Sequence, residues 1–353
     1  MTADSLAERA ALGETVRAVL RRHADTDPWP VLCAQVGVAA LAVPEAYGGA
    51  GAGVPELAVV ARELGRELVA CPFLGSSVLT TLAILEAGNP TDHSRLLPGL
   101  AEGTSTAALA WTSAAGRWCP EEVACAVTAS GDRCTVDGSA HYVLDGDTAD
   151  LLLVFADTGH GLALVEVDPD QRGVRRAGTP AMDQSRSFAR VDLTRAAGRR
   201  LGSGDARPGL RHVRDLACAV LAAEQAGAAA RALEITVAYS LEREQFGRPI
   251  GGFQALKHRM ADLHVLVETA RSAAEAAAEP GPHQSRMAAV AKAWCSRALS
   301  EVTAEMIQLH GGIGITWEHP AHRYFKRAHG SAELFGPPHQ HLARLGRMAG
   351  VGV

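Results

Sequence analysis

The sequence predicts an α+β protein in three parts: helical over residues 1–103, β over 104–203 and helical again over 204–353. Three observations predict it. Up to about residue 103, apolar residues recur at three- and four-residue spacing. Beyond Thr104 the apolar runs shorten, become rich in Val, Leu and Thr, and are cut by Gly- and Asp-containing turns, which is how strands read. After Arg207-Pro208 long Ala-rich runs return, whose small side chains let helices pack closely, as in a bundle.

The elements follow in order. Leu6 to His23 carries apolar residues on one face and Arg and Glu on the other, an amphipathic helix rather than a signal peptide. Trp29 to Ala42 reads as a second helix, and Pro44 to Gly51 as a loop by its Pro and Gly content. Helical patterns run from Pro55 to Glu67 and from Gly75 to Ala87, and Gly88-Asn89-Pro90 closes the segment. Strands are expected at Ala107–Thr112, Ala124–Thr128, Cys134–Val136, Ala149–Ala156 and Leu162–Val167, with turns such as Ser130-Gly131-Asp132 and Gly159-His160-Gly161 between them. Asp215 to Arg243 is a core helix whose one weak point is Gly227. Phe253 to Ala278, Ser285 to Leu309 and Pro320 to Ala332 complete four C-terminal helices, with a sharp break at Glu279-Pro280-Gly281-Pro282.

Composition narrows the class. A chain of 353 residues, 47% hydrophobic and 21% charged, is an ordinary globular protein with room for two or three domains. A net charge of −5 argues against nucleic acid as the main partner. No apolar run approaches ~20 residues, so no membrane span is expected. The seven cysteines form no CxxC pair, so they read as reduced thiols in a cytoplasmic protein, not as a disulfide frame or a metal site.

The most informative stretch is Ala238 to His258, AYSLEREQFGRPIGGFQALKH. One helix ends, Gly247 and Pro249 break the chain, Gly251-Gly252 turn it, and a second helix begins at Phe253. Such a corner brings an anionic ligand close to the backbone, with Arg243 as a forked cation. Tyr239, Arg243, Phe246, Gly247, Ile250 and Gln254 fit a Y-x-x-x-R-x-x-F-G-x-x-I-x-x-x-Q pattern. Further on stands Gln308-Leu309-His310-Gly311-Gly312-Ile313-Gly314, and near the start Ala42-Val43-Pro44-Glu45-Ala46-Tyr47-Gly48-Gly49. In these three motifs, in this order, the chain resembles the acyl-CoA dehydrogenases. The resemblance covers nearly the whole chain and is thinnest between about Thr112 and Gly202.

The resemblance implies an N-terminal helical domain, a middle β-barrel or sandwich domain and a C-terminal four-helix bundle. It also implies FAD, an acyl-CoA substrate undergoing α,β-dehydrogenation, and an electron-transferring flavoprotein as electron acceptor. In that family each FAD has two protein half-sites on different chains. The donated half looks intact: Arg243 matches the pyrophosphate-holding arginine, Gln245, Phe246, Ile250 and Gln254 match its surroundings, and Gln308, Gly311 and Gly312 match the adenosine end. The receiving half looks eroded. Thr112-Ser113-Ala114-Ala115-Gly116-Arg117 stands for a T-E-P-x-x-G-S-D-like loop, and Tyr142-Val143-Leu144-Asp145 for a W-I-T-N-like strand. Leu144 replaces a hydroxyl residue facing the flavin ring and cannot donate a hydrogen bond.

The catalytic base is missing from both family positions. Phe335, in Leu334-Phe335-Gly336-Pro337, stands where the family has glutamate, and the alternative position holds Ala217. Neither accepts a proton. Asp215 and Glu333 each lie two residues away, roughly a 200° turn on a helix. A helix-start role for Asp215 and a solvated Glu333 are the structural alternatives, and Glu224, mid-helix, reads as structural. Arg323, Lys326 and Arg327 could meet CoA phosphates or a partner, or form a solvated helix face. Trp111, Trp118 and Trp317 have no assigned role beyond core or interface.

Three expectations result. The first is a non-catalytic subunit that completes a partner's FAD site in an α2β2 complex, as in bacterial heteromeric acyl-CoA dehydrogenases of steroid degradation. The second is a self-sufficient homotetramer with Asp215 or Glu333 as a displaced base. The third is a flavin-free scaffold.

Overall fold

The structure is a computed structural model that describes residues 3–24, 26–130 and 133–351. The chain divides into two compact units, Met1–Leu57 with Ala70–Ala217, and Ala58–Val69 with Cys218–Val353. The turn expected at Ser130-Gly131-Asp132 lies outside the described residues at its last two positions.

The first unit opens with α1 (Ala3–Arg22). The second expected helix is shorter than its sequence pattern. A single α-turn, α2 (Trp29–Val31), widens into a π-helical segment over Leu32–Val36 and stops at Gly37, whose φ of 73° favours glycine. After α3 (Val54–Glu67), a buried π-helical stretch over Phe73–Thr80 leads into α4 (Thr81–Ala87). Gly88-Asn89-Pro90 does end α4, but it also starts a helix that the sequence reading did not place, α5 (Pro90–Ala101). Asn89 caps it by accepting from Thr91 N and Asp92 N, while Asp92 accepts from Asn89 N and Pro90 takes the first helical position.

Seven strands follow: β1 (Ala107–Ala110), β2 (Cys125–Ser130), β3 (Arg133–Leu144), β4 (Leu151–Asp157), β5 (Leu162–Val167), β6 (Val174–Gly178) and β7 (Phe188–Leu201). Strand β4 pairs with β5 on one edge and with β1 and then β2 on the other. Since β2 pairs with β3, β3 with β7 and β7 with β5, the ladder closes into a barrel. Its interior is apolar, with Val136, Ala140, Leu152, Val154, Val165 and Val191 among the buried residues. Strands β6 and β7 were not expected. In β7 the buried Ala189, Val191 and Leu193 alternate with Arg190 and Asp192, a period of two masked by the arginines.

The second unit holds Ala58–Val69 and most of α6 (Arg207–Glu242), then α7 (Gln254–Ala278), α8 (Gln284–His310), α9 (Ala321–Glu333) and a fifth helix beyond the expected four, α10 (Pro338–Met348). Gly227 is a crossing point rather than a flaw. A Cβ there would collide with the carbonyl of Arg62, and one at Gly65 with the carbonyl of Glu224. The two glycines thus let α3 and α6 approach backbone to backbone. By length and composition α6 could cross a membrane, contrary to the expectation of no such run, but 89% of its apolar window is buried inside the protein.

Candidate functional site

The stretch expected to hold the dinucleotide is built from a helix end and a tight hairpin. Helix α6 ends at Glu242, and Arg243 N bonds the carbonyl of Tyr239 at 2.9 Å. The chain then makes a two-residue hairpin, β8 (Glu244–Gln245) against β9 (Arg248–Pro249). Phe246 and Gly247 form its tip with φ of 54° and 76°, the geometry of a type I′ turn. A Phe at positive φ is uncommon, and this one is 93% exposed. Ile250 N closes the corner by donating to Arg243 O at 2.8 Å. The guanidinium of Arg243 is exposed and has no ion pair among the described residues, at the helix end where a cation is favoured. Gln245 and Gln254 are also exposed, and Ile250 is half-buried.

The second motif meets this corner. Helix α8 ends at His310, and Gly311 leaves it with a φ of 62° before a 3₁₀ turn over Gly311–Ile315. The ring of Tyr239 stacks on His310 with centroids 4.3 Å apart, and Tyr239 OH lies 3.4 Å from His310 O. Two segments far apart in sequence are therefore clamped one helical turn from Arg243. Gln308 is exposed, and nothing lies within 4 Å of where a Cβ at Gly311 or Gly312 would stand. His310 itself is buried, its Nδ1 2.7 Å from Met306 O, and burial lowers its pKa. An unpaired guanidinium, exposed amides and two glycines with open space form a donor set that fits the pyrophosphate and sugar of a dinucleotide.

In the first unit the structure also brings the two eroded stretches together. His141 N donates to Thr112 O at 2.7 Å, and Tyr142 OH lies 3.4 Å from Ala114 O. Thr112 keeps a buried hydroxyl that has no hydrogen-bond partner among the described residues. Leu144 is buried. Next to it, Asp145 (φ 53°) puts its carboxylate 2.8 Å from where a side chain at Gly75 would begin. Burial pushes this carboxyl up to about 7, against the pull of Arg186. The strand motif contains Asp145 but gave no sign of its burial, which depends on Gly75 from a distant segment.

The base positions are apolar and closed. Phe335 is 1% exposed and Ala217 is 0% exposed. Asp215 is not at a helix start, since α6 begins at Arg207; it is buried and paired with Arg214 at 3.1 Å. Glu333 is exposed. Two buried side chains hold the Phe335 turn: Lys292 Nζ donates to Ala332 O at 2.8 Å, and His341 Nε2 lies 3.1 Å from Phe335 O. Burial lowers the Lys292 ammonium to about 8.

The basic cluster does not act as one face. Arg327 is buried and pairs with Glu224 at 2.6 Å, which gives Glu224 the structural role expected of it. Arg323 is exposed, and Lys326 lies over the ring of Trp317. Trp111 and Trp118 form a buried edge-to-face pair, and Trp317 is exposed. Among the described residues no three His, Cys, Asp or Glu side chains gather as a metal site.

Residues 5–104 match the acyl-CoA dehydrogenase N-terminal domain, and residues 215–349 the acyl-CoA dehydrogenase C-terminal domain. The acyl-CoA dehydrogenase IpdE2 of Mycolicibacterium smegmatis is 42% identical over 347 residues, which cover 98% of this chain and 95% of that protein. Among solved structures, a variant of the Tcur3481-Tcur3483 steroid ACAD aligns with a TM-score of 0.86 at 32% identity, over 97% of this chain and 98% of that one. A chain of the ChsE4-ChsE5 complex from Mycobacterium tuberculosis aligns with a TM-score of 0.89 at 28% identity, over 97% of both. The chain belongs to the acyl-CoA dehydrogenase family.

Proposed function

We propose that this chain is the subunit of a heteromeric acyl-CoA dehydrogenase that lacks a catalytic base and completes a partner's FAD site. Acyl-CoA dehydrogenases are FAD-dependent oxidoreductases, and membership makes FAD the cofactor. The observation that carries the finer reading is the contrast between the two sets of family positions. Arg243 is exposed with no ion pair among the described residues and Gly311 and Gly312 face open space, whereas both base positions are filled by buried apolar side chains. When bound, FAD supplies the hydride acceptor for α,β-dehydrogenation of an acyl-CoA thioester. This chain's part is binding: Arg243 would hold the pyrophosphate, Gln245, Phe246, Ile250 and Gln254 would surround it, and Gln308, Gly311 and Gly312 would meet the adenosine end. Asp215, tied to Arg214, weighs against a displaced base in this chain, and so does the outward-lying Glu333.

The names of two structural relatives support a two-chain assembly, since each is written as a pair and one as a complex. A steroid-type acyl group as substrate and an electron-transferring flavoprotein as acceptor belong to the same proposal. Cytoplasmic location does too. In the assembled complex, Arg243→Ala should weaken flavin retention on the order of 10–100-fold, the size of a lost charge-assisted contact. Flavin content measured after gel filtration checks this, and an unchanged flavin-to-protein ratio would sink the assignment.

A further inference from the structure

We propose that Tyr239, His310 and His319 form an acid-opened clamp, which releases the turn after α8 when either imidazole becomes charged. Its consequence for the cofactor rests on the proposed function, because the clamp joins the two segments assigned to FAD; its chemistry does not. His310 lies 4.3 Å from both other rings, stacked on Tyr239 and tilted against His319, while Tyr239 and His319 stand edge-on at 6.3 Å. The cluster ties together the last turn of α6, the last residue of α8 and the approach to α9.

Hydrogen bonds fix each imidazole in a neutral form. Nδ1 of His310 lies 2.7 Å from the carbonyl of Met306, and a carbonyl only accepts, so the ring proton sits on Nδ1. Nε2 is therefore bare, and it is buried with no hydrogen-bond partner among the described residues. A second proton would enclose a charged N–H without an acceptor. In His319 the order is reversed: Nδ1 accepts from Ala321 N at 3.2 Å, at the start of α9. Protonation there sets donor against donor at the positive end of a helix. Either ring gains its charge only by leaving its place.

The surroundings supply no compensating anion. Burial holds both imidazoles below the ordinary histidine value, and His310 and His322 add to this at His319. His322 in turn faces Lys326 and Arg323 of α9. The nearby acids are Glu242 at the end of α6, Glu244 in the hairpin, Glu305 on α8 and Glu318 beside His319. Glu242, Glu244 and Glu318 are exposed, as are Arg243 and Arg248, and Glu305 is held by Arg259. No carboxylate acts on either ring among the described residues. A histidine kept neutral when closed takes up its proton when open, so closure is full above pH 6.5 and is lost as pH falls below it.

The test is amide hydrogen exchange of the single chain, read by mass spectrometry over residues 308–323 and corrected for the intrinsic effect of pH. Between about pH 6.5 and 5.5, protection there should fall by up to about tenfold, the limit for one proton taken up on opening, while strand β4 stays constant. His319→Gln keeps an acceptor for Ala321 N but cannot take up a proton, and His310→Leu keeps an apolar surface under Tyr239. Each should reduce the fall, and the double variant, folded by circular dichroism, should show none. No fall in the wild type, or a fall of wild-type size in both single variants, would overturn the clamp. In the assembled complex, flavin loss on gel filtration should rise over the same range in the wild type and not in the double variant. Flavin retention that ignores an opening seen by exchange would overturn the link to the cofactor. The exchange measurement needs no flavin, so it tests the clamp whether or not the cofactor assignment stands.

Discussion

The donor corner and the base positions are both family sites, yet they have opposite physical characters. At the corner the side chains are polar and exposed, the glycines face open space, and a phenylalanine stands almost bare at positive φ. At the base positions the side chains are apolar and enclosed, and buried Lys292 and His341 lock the turn that carries Phe335. At the corner, a non-glycine residue at positive φ marks local backbone strain. A sealed, hydrogen-bonded turn is already satisfied. On the proposed reading, the corner is where another molecule is needed, and the base positions are where this chain removes no proton.

Perturbing the closed side should disturb stability. The largest effect expected is from Arg327→Met, which removes the buried Arg327–Glu224 ion pair and should cost about 3–5 kcal/mol. Chemical denaturation of the single chain reads this directly; a loss under about 1 kcal/mol would mean that Glu224 finds water or another donor. Next in size is the flavin loss set out for Arg243→Ala, which should come with no change in the unfolding midpoint of the single chain. If the same substitution destabilised the chain, the corner would be structural and the contrast would collapse.

The smallest effect sharpens the view of the receiving stretch. Asp145 has a folded-state pKa of about 7, above that of an unfolded aspartate. The native chain therefore holds this proton more tightly than the unfolded chain does. Its contribution to stability is full below about pH 4 and is lost as pH rises to about 7. Asp145→Asn should remove that component, so the thermal midpoint of the variant should gain on wild type between pH 4 and 7. Parallel curves for the two proteins would show that the carboxyl is solvated.

Much of the fold was legible because local pattern survives in sequence: the helical period of Pro55–Glu67 and the short apolar run of Leu162–Val167 sit within a residue of the observed helix and strand. Strand β7 was not, because arginines occupy its outward positions and hide a short buried alternation of Ala189, Val191 and Leu193. Helix α5 was missed because Gly-Asn-Pro both ends one helix and caps the next. At the site, the motifs named the residues of the donor corner, but not the Tyr239–His310 stack that joins them. Arg327 looked like part of a basic face because its partner Glu224 is 103 positions away. Burial of a charge depends on such distant pairings, and local pattern carries no record of them.

The most direct test of the central claim is the visible absorption spectrum of the chain purified alone and then together with its acyl-CoA dehydrogenase-like partner. A colourless single chain, and a yellow complex that acyl-CoA bleaches, is the predicted result. A yellow single chain that acyl-CoA bleaches without a partner would contradict it, since the chain would then hold both a complete flavin site and a working base.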